Sequence, residues 1–131
     1  MALYSTALAR ILPPGQAVYL ALLVKGPEPD GTHETEASYT GYARKAHSAW
    51  ATHSDMDGSW YLSNTGSIVF GAVTGSAITI THWGLYLGAV GGVLFASGQV
   101  LNLSGVPYPQ LLQVGDQARF LDDALKIRSG I

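Results

Sequence analysis

The chain contains no cysteine. Disulfide staples, thiolate metal sites and cysteine nucleophiles are therefore excluded. Charge is scarce too. Asp, Glu, Lys and Arg make up 12% of the 131 residues, about half the usual share. The net charge is -2, and the only adjacent cations are Arg44 and Lys45. Nucleic-acid binding through phosphate neutralisation is not expected on so little positive charge. No apolar run reaches the roughly 20 residues that a membrane helix needs. Ser76 to Gln99 comes nearest, but Thr, His and several Gly interrupt it. The N-terminus lacks a basic stretch followed by a long apolar core, so no secretory leader is expected. No internal repeat of fixed period is present. A surface this poor in charge is partly not meant for water. A crowded assembly or an oligomer interface explains it better than a free monomer.

What the chain does have is apolar bulk: 47% of its residues are hydrophobic. Its length suits one domain, which can bury roughly two-thirds of its unfolded surface. Ser76 to Gln99 organises the reading. Ile78, Ile80, His82, Gly84 and Tyr86 alternate with Thr79, Thr81, Trp83, Leu85 and Leu87. Period-two spacing of β-branched and aromatic residues predicts a strand, and bulk on both sides predicts a central one. Gly88 to Gly92 turns the chain, and Val93 to Val100 returns it. Gln16 to Lys25 predicts a second internal strand. Its two faces are Val18, Leu20, Leu22 and Val24, and Tyr19, Ala21 and Leu23.

The remaining segments fit the same class. Leu3, Ala7, Leu8 and Ile11 recur at helical spacing, predicting a short helix over Ala2 to Leu12 that Pro13-Pro14-Gly15 ends. Tyr39 to Thr52 reads as a strand with a bulge at Gly41. Short strands are expected over Trp60 to Leu62, Ser67 to Val73, Gln110 to Val114, Gln117 to Leu121 and Ala124 to Arg128. Turn residues at regular intervals predict an all-β, antiparallel β-sandwich of jelly-roll or Ig-like type. The expected division is an N-terminal helix or arm over 1–15 and one sandwich domain over 16–131.

Each candidate reactive constellation in the sequence has a plainer explanation. The loop Gly26 to Ser38 holds four acids and His33, but flexible backbone without supporting partners predicts a solvated loop rather than a metal site. Asp55-Met56-Asp57-Gly58 starts like a calcium loop but lacks the later acids, which leaves a turn. His47 and His53 have no spacing that would make a zinc pair. The chain has Ser and His but no nucleophile elbow, and Gly84 to Gly92 lacks the Lys of a phosphate loop. Asp122 and Asp123 are adjacent and would point apart. Arg44 is expected to bury its stem beside Tyr42 and hold a carboxylate or carbonyl across the sheet. His82 is expected to pack rather than catalyse. No catalytic, cofactor-binding or metal-ligating residue is expected, and the chain reads as structural rather than enzymatic.

Four blocks carry a resemblance: Ala17 to Val24 (AVYLALLV), Gly41-Tyr42-Ala43-Arg44, Ile80 to Tyr86 (ITHWGLY) with GAVGGVLF after it, and Val114 to Phe120 (VGDQARF). In this order they resemble a family of small tailed-bacteriophage virion structural proteins, often labelled tail fibre proteins. The likeness covers nearly the whole chain. It departs from the family pattern at Ser59-Trp60 and at Pro107 to Pro109. The resemblance implies a virion protein made in the host cytoplasm. The expected role is a capsid decoration or cement protein that stabilises the head, as a homo-oligomer, most plausibly a trimer, on the major capsid protein. The alternative is a tail-fibre or baseplate subunit bound to tail proteins. A second alternative is a carbohydrate-binding module that stacks sugars on Trp50, Trp60 or Trp83.

Overall fold

The computed structural model describes residues 2–3, 18–29, 32–54, 60–92, 94–101, 104, 106–122 and 124–128. Its strands are β1 (Ala2–Leu3), β2 (Val18–Lys25), β3 (Thr35–Glu36), β4 (Lys45–His47), β5 (Trp50–Ser54), β6 (Trp60–Asn64) and β7 (Ile68–Val69). They continue with β8 (Ile78–Ile80), β9 (His82–Tyr86), β10 (Leu94–Gln99), β11 (Gln110–Leu112), β12 (Arg119–Phe120) and β13 (Lys126–Arg128). Every pairing is antiparallel, and no helix occurs among the described residues.

Among the described residues the strands fall into four sheets. The largest has the order β1-β10-β9-β2, with β3 and β4 both on the far side of β2. The others are β13-β6-β5, β11-β8 and β12-β7. One core draws on all four: Leu20, Leu62, Ile68, Phe70, Ile80, Trp83 and Leu85 belong to a single buried cluster. β2 lies at its centre. Val18, Leu20 and Leu22 face that cluster, while Ala21 and Leu23 join Tyr86 and Leu94 on the opposite side of the sheet. The two buried faces expected of Val18 to Val24 are therefore present, and burying each such leucine contributes about 1.5–3 kcal/mol.

Three segments differ from the sequence expectation. Ala2 and Leu3 do not begin a helix; they pair with Ser97 and Ala96 of β10. An edge strand offers unpaired backbone groups, and satisfying them outweighs the weak helix preference of two terminal residues. Residues 4–12, the rest of the expected helix, lie outside the described residues. The long strand through Ile78 to Leu87 is broken at Thr81. Its N–H donates to Leu23 O, while its own O accepts from Val100 N–H. Before Thr81 the chain pairs with β11, and after it with β2 and β10. The break slips the alternation by one, so Ile80 shares the main core with Trp83 and Leu85 rather than the face of His82. Finally, Tyr39 to Thr52 is not one strand. Gly41 adopts φ +94° in a turn where Tyr42 N–H donates to Tyr39 O at 2.9 Å. β4 and β5 follow in different sheets.

Close packing makes two glycines of the hairpin obligatory to different degrees. A Cβ at Gly98 would lie 2.6 Å from Cζ2 of Trp83, whose ring is buried in the core. A Cβ at Gly84 would lie 2.7 Å from Leu94 Cδ1 and 3.2 Å from Leu23 Cδ1, which are the ends of flexible side chains. Gly98→Ala is therefore expected to cost about 1–3 kcal/mol, and Gly84→Ala less. Thermal melting of the two variants side by side checks the ranking. Equal melting points, or the reverse order, would contradict it.

Candidate functional site

The densest polar arrangement among the described residues is built on Arg44. Its side chain is only 6% exposed, so its charge must find partners inside the fold. Nε donates to Glu36 Oε2 at 2.9 Å, and Nη2 donates to Glu36 Oε1 at 3.0 Å. Nη1 donates to two carbonyl oxygens, Gly88 O at 2.9 Å and Gly91 O at 2.8 Å. The guanidinium carbon lies 3.7 Å from the centre of the Tyr86 ring. This planar fork therefore makes a bidentate ion pair, grips two carbonyls and stacks on an aromatic face at once, a set of contacts that lysine cannot reproduce.

Two tyrosines complete the network. Tyr86 OH donates to Glu34 Oε2 at 2.5 Å. Tyr42 OH donates to Glu36 Oε2 at 2.5 Å and accepts Leu22 N–H at 3.2 Å. Burial, aided by the carboxylate each one bonds, pushes both phenols well above their ordinary pKa and keeps them as donors. Burial alone would lower the pKa of Arg44, but hydrogen bonding to Glu36 and the favourable electrostatics of Glu36, Tyr86 and Tyr42 together outweigh it, so the pKa is raised and the group stays charged.

The network holds the β9–β10 turn. Gly91 and Gly92 take left-handed φ of 64° and 83°, and the Gly88 and Gly91 carbonyls turn inward to Arg44. The apolar side chains point out: Leu87 is 54% and Val90 89% exposed. The result is a rigidly held, uncharged apolar tip.

The expected hold of Arg44 on a carboxylate or carbonyl is found, and it holds both. The expectation of a solvated acidic loop over Gly26 to Ser38 is corrected for its second half, because Glu34 and Glu36 face the sheet. Glu28 keeps to the loop, pairing with the exposed His33 at 2.8 Å. The signal available in the sequence was the scarcity of charge itself. A lone interior arginine needs a carboxylate, and Glu34 and Glu36 are spaced to place both on one face of an extended segment.

The other singled-out residues make the following contacts where they are described. His53 Nε2 lies 3.0 Å from Ser63 Oγ, a serine–histidine pair, but Ser63 is 2% exposed in the middle of β6. No substrate reaches it without opening the sheet. His47 Nε2 meets Thr65 O at 3.1 Å, so the two histidines serve different partners. No group of three or more His, Asp or Glu that could hold a metal occurs among the described residues. Asp55 to Ser59 and Asp123 lie outside them. Asp122 Oδ1 accepts Gly66 N–H at 2.6 Å. Trp83 is in the core, and Trp50 packs against it while donating to His47 O, so neither ring is a free platform for sugars. Asp116 shapes the turn after β11, its Oδ2 accepting Gln113 N–H at 2.8 Å.

His82 bonds Thr81 Oγ1 through Nδ1 at 2.9 Å and packs against Gly26. Burial lowers its pKa below the ordinary 6.5. The folded state thus favours the neutral ring, while the unfolded chain binds a proton from about pH 6.5 downward. Stability is expected to fall as pH drops through that value and to level off below the depressed folded pKa. Urea denaturation at pH 8 and pH 5 measures this, and His82→Gln should flatten the difference. An equally steep pH dependence in the variant would assign the effect elsewhere.

One further sequence feature gains meaning from the fold. No Asp, Glu, Lys or Arg stands between Asp57 and Asp116. Among the described residues, every strongly exposed large hydrophobic residue except Leu121 lies in that span.

A family model described as Gp80, podophage GP4 fiber I protein gp80, matches residues 4–128. No curated protein matches the chain.

Proposed function

The chain belongs to the podophage GP4 fiber I protein gp80 family, and on that premise we propose that it is a structural subunit of a phage tail fibre. The observation that carries the proposal is the extent of the match, which runs through nearly the whole chain. Family membership makes the protein a phage fibre-type structural component and hence a part of the virion. It gives no support to the capsid-decoration role that the sequence suggested. The tail-fibre alternative takes its place.

The described architecture is compatible with that role. A fibre subunit needs rigid, water-excluding contacts more than reactive groups. The Arg44 network supplies rigidity at the β9–β10 turn, and the uncharged span supplies apolar surface. In this reading the domain is a β-sandwich, it works as a homo-oligomer docked on other tail or baseplate proteins, and it catalyses no reaction.

Labelled antibody on purified virions, with copy number from quantitative mass spectrometry, tests the assignment. A few copies located on tails are expected. Hundreds of copies spread over heads would restore the decoration reading and end this one.

A further inference from the structure

Two short segments meet at Arg44, and neither is well held by its own backbone. β3 is two residues long and ends its sheet. Its pairing with β2 shifts register between Leu23 and Lys25, and beyond it Ala37 N–H donates to Leu22 O at 2.8 Å. The β9–β10 turn is likewise bounded by a register shift, between Leu94 and Ala96. Side chains supply the missing hold. Glu36 takes Nε and Nη2 of Arg44, while Nη1 reaches the Gly88 and Gly91 carbonyls. Glu34 accepts from Tyr86 OH across 52 residues of sequence. Tyr86 is the last residue of β9, and its ring lies against the same guanidinium.

Half-open arrangements are costly. If residues 34–36 lift while the turn stays, Arg44 keeps a charge that is 6% exposed and has lost its carboxylate. If the turn leaves while residues 34–36 stay, Nη1 loses both of its acceptors in that same buried place. Opening both at once lets the guanidinium, the two carboxylates and the two carbonyls all reach water, so only the modest net worth of each bond is lost. The β2–β9 ladder, from Tyr19 and Tyr86 to Leu23 and His82, need not open. We infer that residues 34–36 are a latch on the β9–β10 turn, and that the two open and close as one unit while the rest of the sheet stays folded. Linkage is reciprocal. A surface that grips Leu87 and Val90 on the closed turn also tightens the acidic segment, and displacement of Glu34 and Glu36 loosens the turn. The latch thus couples the acidic loop to the uncharged apolar tip, two parts of the surface with opposite chemistry. It works in the same way wherever on a virion the chain resides.

Amide hydrogen exchange of the full chain, resolved by residue, tests the latch with three variants. In the wild type, the Ala37 amide and the amides of residues 88–92 should share one opening constant within about three-fold, and both should exchange faster than the β2–β9 ladder. Tyr86→Phe removes one hydroxyl and leaves the ring beside Arg44. Glu34→Ala removes the same tether from its other end. Each should speed exchange at Ala37 and at residues 88–92 by a common factor of roughly 5-fold or more. Glu28→Ala breaks the pair with His33 in the same loop but outside the network, and should leave both segments as in the wild type. A turn protected as strongly as the β2–β9 ladder, faster exchange confined to one of the two segments, no rise at the turn in Tyr86→Phe and Glu34→Ala, or an equal rise in Glu28→Ala would each overturn the latch.

Discussion

Replacing Arg44 by alanine is expected to destabilise the protein by about 3–5 kcal/mol, which lowers the melting point by on the order of 10 °C. The size comes from what the substitution leaves behind rather than from what it removes. Glu36 loses both guanidinium contacts while only 27% of its side chain reaches water. The Gly88 and Gly91 carbonyls lose their common donor. Arg44→Lys keeps the charge but has no planar fork, so it can meet the carboxylate or a carbonyl and not both sets. It should recover less than half of the loss. Hydrogen exchange gives the more specific readout: amides of residues 87–92 should exchange faster in Arg44→Ala than the global stability loss explains. A melting point within a couple of degrees of wild type, with unchanged exchange at the turn, would show that the network contributes nothing to rigidity.

Legibility followed the range of the interactions. Val18 to Val24 and the β9–β10 hairpin were readable because alternation and a glycine turn are local, and tertiary packing agrees with them. The break at Thr81 was not readable. Its cause is the handover of backbone bonding from β11 to β2 and β10, and each of those partners is far away in sequence. The split at Gly41 was half visible: glycine marked an irregularity, but a turn between two sheets and a bulge within one have the same local composition. For the Arg44 network, the residue and the kind of group it holds were evident from chemistry. The identity of the carboxylate was not, because a loop of prolines and acids reads as solvated until an interior cation claims Glu36. Residue types suited to sugar stacking carry an ambiguity of a related kind. A tryptophan is equally at home in a core, and Trp83 went there.

Asn64, the last residue of β6, carries the second large effect. The side chain is 1% exposed and uses its hydrogen-bonding capacity to tie β6 to the chain ahead of β13. Nδ2 donates to Gly66 O at 2.7 Å and to Leu121 O at 2.9 Å, while Oδ1 accepts Leu125 N–H at 2.8 Å. Leu125 is itself buried, so its N–H has no ready replacement. Asn64→Ala should cost about 2–4 kcal/mol, the sum of unmet groups and a small cavity. Asn64→Asp is the sharper experiment because it changes one atom. A carboxyl can still accept from Leu125, but two carbonyl oxygens face its other oxygen, and only the protonated acid can donate to either. Folding therefore favours the protonated form, and the pKa of the introduced carboxyl is raised in the folded state. The unfolded chain then binds fewer protons than the folded one over that window, so the stability of the variant should fall as pH rises from the ordinary carboxylate range toward neutrality. Wild type has no such dependence from this site. Denaturation of Asn64→Asp and Asn64→Ala from pH 4 to pH 7 separates the cases: the aspartate variant should approach or exceed the alanine variant at the acid end and drop below it at neutral pH. A difference between the two variants that does not change with pH would mean that Asn64 is not held between those carbonyls and that the tie between β6 and β13 has another origin.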